Sequence, residues 1–176
     1  MSENELPEGP QAGGDEGQAQ QEAPFTILLQ YLKDLSFENP NAPQVFAGEK
    51  QQPQLDVNVD VTVQQIHERD FEVSLHLNAN AKNGEDLVYQ TELVYSGIVR
   101  IGEIPQEILQ ALLFVEIPRF LFPYARNIIS TSIQEGGFPA VMLAPIDFMA
   151  MFRQRVAAAQ AKQEAEGGEE AASAEA

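Results

Sequence analysis

The sequence contains no cysteine and no tryptophan. Without thiols there is no disulfide framework, no thiolate zinc site and no cysteine nucleophile. Basic residues are scarce: ten Lys and Arg stand against 27 Asp and Glu, for a formal charge of −17 at pH 7. Such a chain repels phosphate backbones, and its few bases are scattered rather than gathered into a patch. Nucleic acid is therefore not an expected partner, and the same repulsion disfavours anionic membrane surfaces. The longest apolar runs free of proline and charge, Ala111 to Val115 among them, are far below the ~20 residues that span a bilayer. No basic stretch followed by an apolar run opens the chain, so no secretory signal and no membrane insertion are expected. A cytoplasmic location follows as the expectation. A phosphate-binding glycine loop, a nucleophile elbow and a zinc signature are also missing. Neither a cofactor nor an enzymatic activity is expected.

What is present divides into three. Residues 1–24 hold six acids, no Lys or Arg and almost no large apolar side chains. A segment of that kind buries too little surface to offset its ordering entropy. It reads as a disordered acidic extension, and 161–176 reads as a disordered acidic tail. Between them lies one domain, 25–160.

The domain opens with period-two patterning. Ile27, Leu29, Tyr31, Leu35 and Phe37 share one side of a first strand, and Gln30, Asp34, Ser36 and Glu38 share the other. Asn39-Pro40-Asn41-Ala42-Pro43 is turn chemistry. Leu55 to Val63 alternates most cleanly, with valines against Asp56, Asn58, Asp60 and Thr62, and Phe71 to Ala81 repeats the pattern. Asn83-Gly84 signals a hairpin. A long fourth strand, Leu87 to Ile101, contains Gly97 as a candidate bulge. One wet and one dry face per strand predict a four-stranded antiparallel meander.

The period then changes. Pro105 suits a helix start, followed by the stripe Ile108, Leu109, Leu112, Leu113 and Val115. Pro118 and Pro123 must kink or interrupt this helix, which resumes to Gly136-Gly137, a C-terminal signal. After an apolar loop, Phe138 to Pro145, Asp147 is placed to cap a last helix with the stripe Phe148, Met151, Phe152, Val156 and Ala159. Strands first and helices after predict an α+β fold with a long kinked helix and a C-terminal helix covering one sheet face.

Few residues point to chemistry. Asp56, Asn58 and Asp60 match the opening of a calcium loop, but Val61 stands where its glycine belongs and His67 where its bidentate glutamate belongs. His67 and His76 read as solvated imidazoles. An apolar loop as long as 138–145 either packs at an oligomer interface or lines a groove.

Several motifs are more specific. Tyr31 to Pro43, Leu121-Phe122-Pro123-Tyr124-Ala125-Arg126, Gly137-Phe138-Pro139 and Leu143-Ala144-Pro145-Ile146-Asp147-Phe148 occur in this order. Together they resemble the SecB family of bacterial protein-export chaperones over roughly 25–156. The resemblance implies a homotetramer built as a dimer of dimers, with helices sandwiched between sheets. It implies an ATP-independent holdase for unfolded precursor proteins, which are passed to the translocase motor SecA. Asp34, Glu38 and Glu92 match the family's acidic SecA-binding positions. The tail from Gly167 departs from the family's second SecA-binding element except in being acidic. An unfolded-client groove is expected at Phe37, Val45, Phe46, Phe138, Leu143, Phe148 and Phe152. The alternatives are an α+β protein enclosing a small apolar ligand, and an enzyme using Asp56 and Asp60 as an acid/base pair.

Overall fold

The computed structural model describes residues 23–47 and 53–174, with side chains described as far as Lys162. The acidic extension expected at 1–24 lies outside the described residues except for Ala23 and Pro24. Four strands, β1 (Phe25–Glu38), β2 (Gln54–Gln65), β3 (Asp70–Asn83) and β4 (Asp86–Ile101), form one antiparallel sheet in the order β1-β4-β3-β2. The expected meander is thus realised by β2, β3 and β4 only. The tight turn after Asn83, with Gly84 at φ +63°, forces β3 and β4 to be neighbours. The long connection 39–53 leaves β1 free to cross the sheet end and pair with β4 instead of β2.

Alternation decides which face is buried. Val61, Val73, Leu75, Leu77, Leu93 and Val99 project from the inner face and are fully or almost fully buried. β2 and β3 pair without a slip from Gln54↔Lys82 to Gln65↔Phe71, so Asp56, Asn58, Asp60, Ser74, His76 and Asn78 share the outer face. β1 breaks the rule twice. Its register against β4 shifts between Ile27 and Leu29 and again between Leu32 and Asp34. Each extra residue flips the side chains that follow it. Leu29 and Tyr31, expected inside, therefore face outward, while Leu32 faces inward and the second bulge restores the expected sides for Asp34, Leu35 and Phe37.

The second bulge brings Lys33 over the outer face. Its Nζ lies 2.7 Å from Glu72 Oε2, and the Tyr31 hydroxyl donates to Glu72 Oε1. Beneath them Ser74 and Ser96 share a buried hydroxyl hydrogen bond of 2.7 Å. Hydrogen bonds from Lys33 and Tyr31 hold the Glu72 carboxyl below its ordinary range, and the same contact raises the Tyr31 phenol.

The helical layer starts with α1 (Gln106–Ala111), widens into a π turn (Leu112–Glu116) and continues without a break as α2 (Ile117–Glu135). Here Pro118 exerts its effect. It lacks the N–H that would close the regular ladder, and the preceding turn widens so that Ile117 N–H bonds Leu112 O. Pro123 is accommodated inside α2. By length and composition the stretch Gln106–Glu135 is apolar enough to cross a membrane. Here its apolar side is used against the sheet: Ile117, Leu121, Ala125, Ile129 and Ile133 are all buried at i, i+4 spacing. Ile108, expected in the stripe, turns out to the surface.

Gly97 is not a bulge. It pairs in register with Gln30 and Val73, and a Cβ there would stand 2.9 Å from Leu121 Cδ2. The glycine lets α2 lie close on β4. At its far end α2 closes as a Schellman turn: Phe138 N–H bonds Ile133 O, Gly137 N–H bonds Gln134 O, and Gly137 takes φ +89°. Asp147 caps α3 (Phe148–Ala174) as expected, its Oδ1 accepting from Ala150 N–H at 2.9 Å. α3 continues past the expected end of the domain at residue 160 through most of the acidic tail, whose Ala, Gln and Glu are strong helix formers.

Two measurements check this packing. Gly97→Val pushes a branched side chain into Leu121 and costs about 1–3 kcal/mol in urea unfolding, with part of the loss recovered when Leu121 is shortened to Ala in the same chain. Glu72→Gln costs about 1–2 kcal/mol at pH 7. A carboxyl held low in the folded state contributes fully above its ordinary value of 4.5 and loses that contribution as pH falls through the lowered folded value. The stability gap between parent and variant therefore narrows on acidification.

Candidate functional site

The register of β1 on β4 sets the acidic residues. Asp34 opposes Val94, Ser36 opposes Glu92 and Glu38 opposes Gln90, so Asp34, Glu38 and Glu92 form one exposed patch on the outer face, as expected from the alternation. Glu92 Oε1 is oriented by Asn78 Nδ2 and Gln90 Nε2, each at 2.8 Å. The twist of the sheet makes an open depression of about 340 Å³ beside it, lined by Asp34, Asn58, Asp60, His76, Asn78 and Glu92 among others. His76 Nε2 lies 2.8 Å from Thr62 Oγ1. With Lys33 occupied by Glu72, the patch keeps an unbalanced negative charge that suits a cationic partner.

Asp56 and Asp60 are solvent-exposed on this same face. An acid/base pair needs its carboxyl groups withdrawn from bulk water, and the exposure of both side chains counts against that alternative. Among the described residues no group of three His, Cys, Asp or Glu side chains could hold a metal.

The aromatic residues separate into three environments. Around Phe138 the ring of Phe46 lies at 5.3 Å, Tyr89 at 4.6 Å and Phe37 at 6.4 Å, and Phe37 stacks on Tyr89 at 5.8 Å. Four different elements meet here: β1, the short 3-10 turn Gln44–Phe46, β4 and the loop after α2. The turn at Gly136 makes it possible, since a Cβ on that residue would run into the Phe37 ring. Phe46 remains 50% exposed, while Val45 is half-buried and Tyr89 forms the floor. Burial raises the Tyr89 phenol well clear of neutral pH, so it stays protonated.

The other expected groove residues lie elsewhere. Leu143 is buried, and Phe148 is only 1% exposed, edge-on to Phe122 at 6.0 Å. The cap at Asp147 starts α3 so that its first ring drops into the core, which removes Phe148 and Leu143 from any open groove of the subunit. Phe152 stacks on Phe114 at 6.2 Å, in a separate contact near β2. Thus Phe37, Phe46 and Phe138 meet in one patch, Val45 precedes Phe46 in the 3-10 turn, and Leu143, Phe148 and Phe152 lie elsewhere. Tyr89 is the patch residue absent from the expectation; its position on β4, opposite in parity to the exposed Glu92, is the signal that could have found it. Between sheet and α2, Leu75, Leu77, Leu93, Leu121 and Ile129 are all buried in one apolar core.

A second exposed apolar surface follows the unpaired edge of β1. Leu28, Leu29, Leu32 and Leu35 are exposed along the strand, and Phe120, which meets Phe25 of β1 edge-to-face at 5.5 Å, and Tyr124 extend it onto α2.

Residues 18–159 match the family model described as preprotein translocase subunit SecB. A protein-export protein SecB from Bradyrhizobium sp. is 45% identical over 142 residues, covering 79% of this chain and 88% of the relative. Another, from Bartonella bacilliformis, is 42% identical over 148 residues, covering 84% and 93% respectively. Among solved structures, a SecB-like chaperone from Mycobacterium tuberculosis, determined in complex with an antitoxin peptide, shares the fold at a TM-score of 0.58 and 16% identity, covering 69% of this chain and 90% of that one. With its motifs, its sheet and helices and nearly its whole domain matched at this level, the chain belongs to the SecB family of protein-export proteins.

Proposed function

We propose that this protein is an ATP-independent holdase that keeps precursor polypeptides unfolded in the cytosol and delivers them to SecA. The observation that carries the reading is the patch of Phe37, Phe46 and Phe138 over Tyr89, left open to solvent at Phe46. Apolar area removed from water contributes about 25 cal/mol per Å², so several hundred Å² of patch and client give several kcal/mol before ordering costs. Aromatic rings accept many apolar sequences without demanding one, which suits a client that has not yet buried its own side chains. No catalytic step is required for such binding. The peptide bound by the Mycobacterium tuberculosis protein supports a polypeptide, rather than a small molecule, as the ligand.

The apolar edge of β1 and the exposed face of α2 are assigned to contacts between subunits in a homotetramer arranged as a dimer of dimers. An unpaired, leucine-rich edge strand is a template for association, and a second copy covers it. The outer sheet face is assigned to SecA: Asp34, Glu38 and Glu92 present carboxylates over a flat, polar surface, where they recruit a basic partner.

Two experiments separate these surfaces. Phe46→Ser with Phe138→Ser weakens binding of a reduced, alkylated unfolded polypeptide about tenfold or more by calorimetry, while the native mass stays that of the parent assembly. Unchanged client affinity rejects the patch. Replacing Asp34, Glu38 and Glu92 together by Asn, Gln and Gln lowers SecA affinity at least about tenfold, slows association and flattens its salt dependence, while client affinity is kept. SecA binding that is indifferent to these changes removes the outer face from the assignment.

A further inference from the structure

We propose that Arg155 is a latch on the open edge of β2, and that an extended polypeptide segment carrying a basic residue gains this edge by displacing it. The edge is the second unpaired border of the sheet. At Val61 both backbone groups point away from β3: the N–H donates to Asp60 Oδ1 at 2.8 Å and the carbonyl accepts from Arg155 Nη1 at 2.7 Å. Arg155 Nη2 lies 3.8 Å from Asp60 Oδ1, and the guanidinium covers the Phe114 ring at 4.8 Å. A small cavity of about 50 Å³ beneath the contact is lined by Asp60, Val61, Phe114, Met151, Phe152 and Arg155.

In an antiparallel ladder, residues that turn their backbone groups outward alternate with residues that bond the neighbouring strand. Since β2 keeps an unbroken register with β3, Val57, Val59 and Val63 face the open edge as Val61 does. An added strand would bond each of them through main-chain groups that every sequence possesses. It cannot form its pair of bonds at Val61 while Asp60 and Arg155 hold both groups. The latch therefore divides the edge in two and blocks continuous strand addition.

What displaces it is set by charge. Asp60 and the Phe114 ring together form a seat for one cation, and the exposed carboxylates of Asp56 and Asp60 border the edge. A Lys or Arg in the incoming segment takes over the seat as Arg155 leaves, so Asp60 and the Phe114 ring keep a cationic partner. A glutamate in that place meets Asp60 and is repelled. Arg155 thereby acts as a specificity-determining residue for the polypeptide ligand, and this inference rests on the reading of the protein as a binder of unfolded chains.

The test uses the full-length protein and two synthetic extended peptides of alternating Val and Thr, one with a central Arg and one with a central Glu. Arg155→Ala raises affinity for the Arg peptide roughly fivefold to tenfold. Bound peptide slows hydrogen exchange at the amides of Val57, Val59 and Val63, and the Glu peptide binds more weakly to both proteins. Asp60→Ala, which leaves α3 in place, brings the Val61 amide into the protected set. Equal affinity in parent and Arg155→Ala, or peptide binding that leaves these amides exchanging freely, overturns the latch. Suppression of client aggregation, followed by light scattering, is read separately. Its absence in the parent defeats the chaperone reading, while Arg155-dependent protection of the edge still stands or falls on the exchange data.

Discussion

One sheet buried on one side is the constraint from which the other features follow. The inner face closes against α2 along Ile117, Leu121, Ala125, Ile129 and Ile133, and Gly97 lets the helix come close enough to exclude water from the join. A single helical layer of this width covers the middle of the sheet and not its borders. Both edge strands, the outer face and the aromatic mouth near Phe46 are consequently left to solvent. Each has had to acquire a composition that tolerates exposure, or a partner that relieves it.

The outer face and the two edges solve this differently. The outer face is polar, with hydrogen-bonded amides and carboxylates that need no cover. The edge of β2 is closed by side chains, Asp60 from the strand itself and Arg155 from the helix above. The β1 edge keeps Leu28, Leu29, Leu32 and Leu35 in the open, which is costly for a lone subunit and reasonable for one that associates. A net charge of −17 adds long-range repulsion between copies of the molecule, so that local stickiness need not become aggregation. A surface that holds unfolded chains and a molecule that does not clump with itself are compatible on those terms.

Legibility in the sequence tracks how local the controlling physics is. β2 and β3 were readable because every valine and every polar residue obeys one period. The helix ends were readable too, since Gly136-Gly137 and Asp147 act on backbone groups a few residues away. β1 was readable at its ends and misread at Leu29 and Tyr31, because its two bulges cancel in parity and leave no mark in composition. Proline at 118 announced a defect, but whether it would be a kink, a break or a π turn depended on how the helix sits on the sheet. Of the expected groove, Phe37, Phe46 and Phe138 meet, whereas Leu143 and Phe148 are drawn into the core and Phe152 pairs with Phe114.

The amino-acid order alone determined the α+β class, the wet and dry sides of three strands, the acidic character and the family. Those properties arise from alternation, capping and motifs that operate within a few residues of one another. Only the tertiary structure decided that β1 lies beside β4, that Tyr89 floors the aromatic patch, and that Arg155 reaches Val61 across 94 positions of chain. Contacts of that range are selected by the simultaneous packing of elements remote in sequence. No period or spacing records such a choice, because it is made by the competition of whole surfaces for a place in one core.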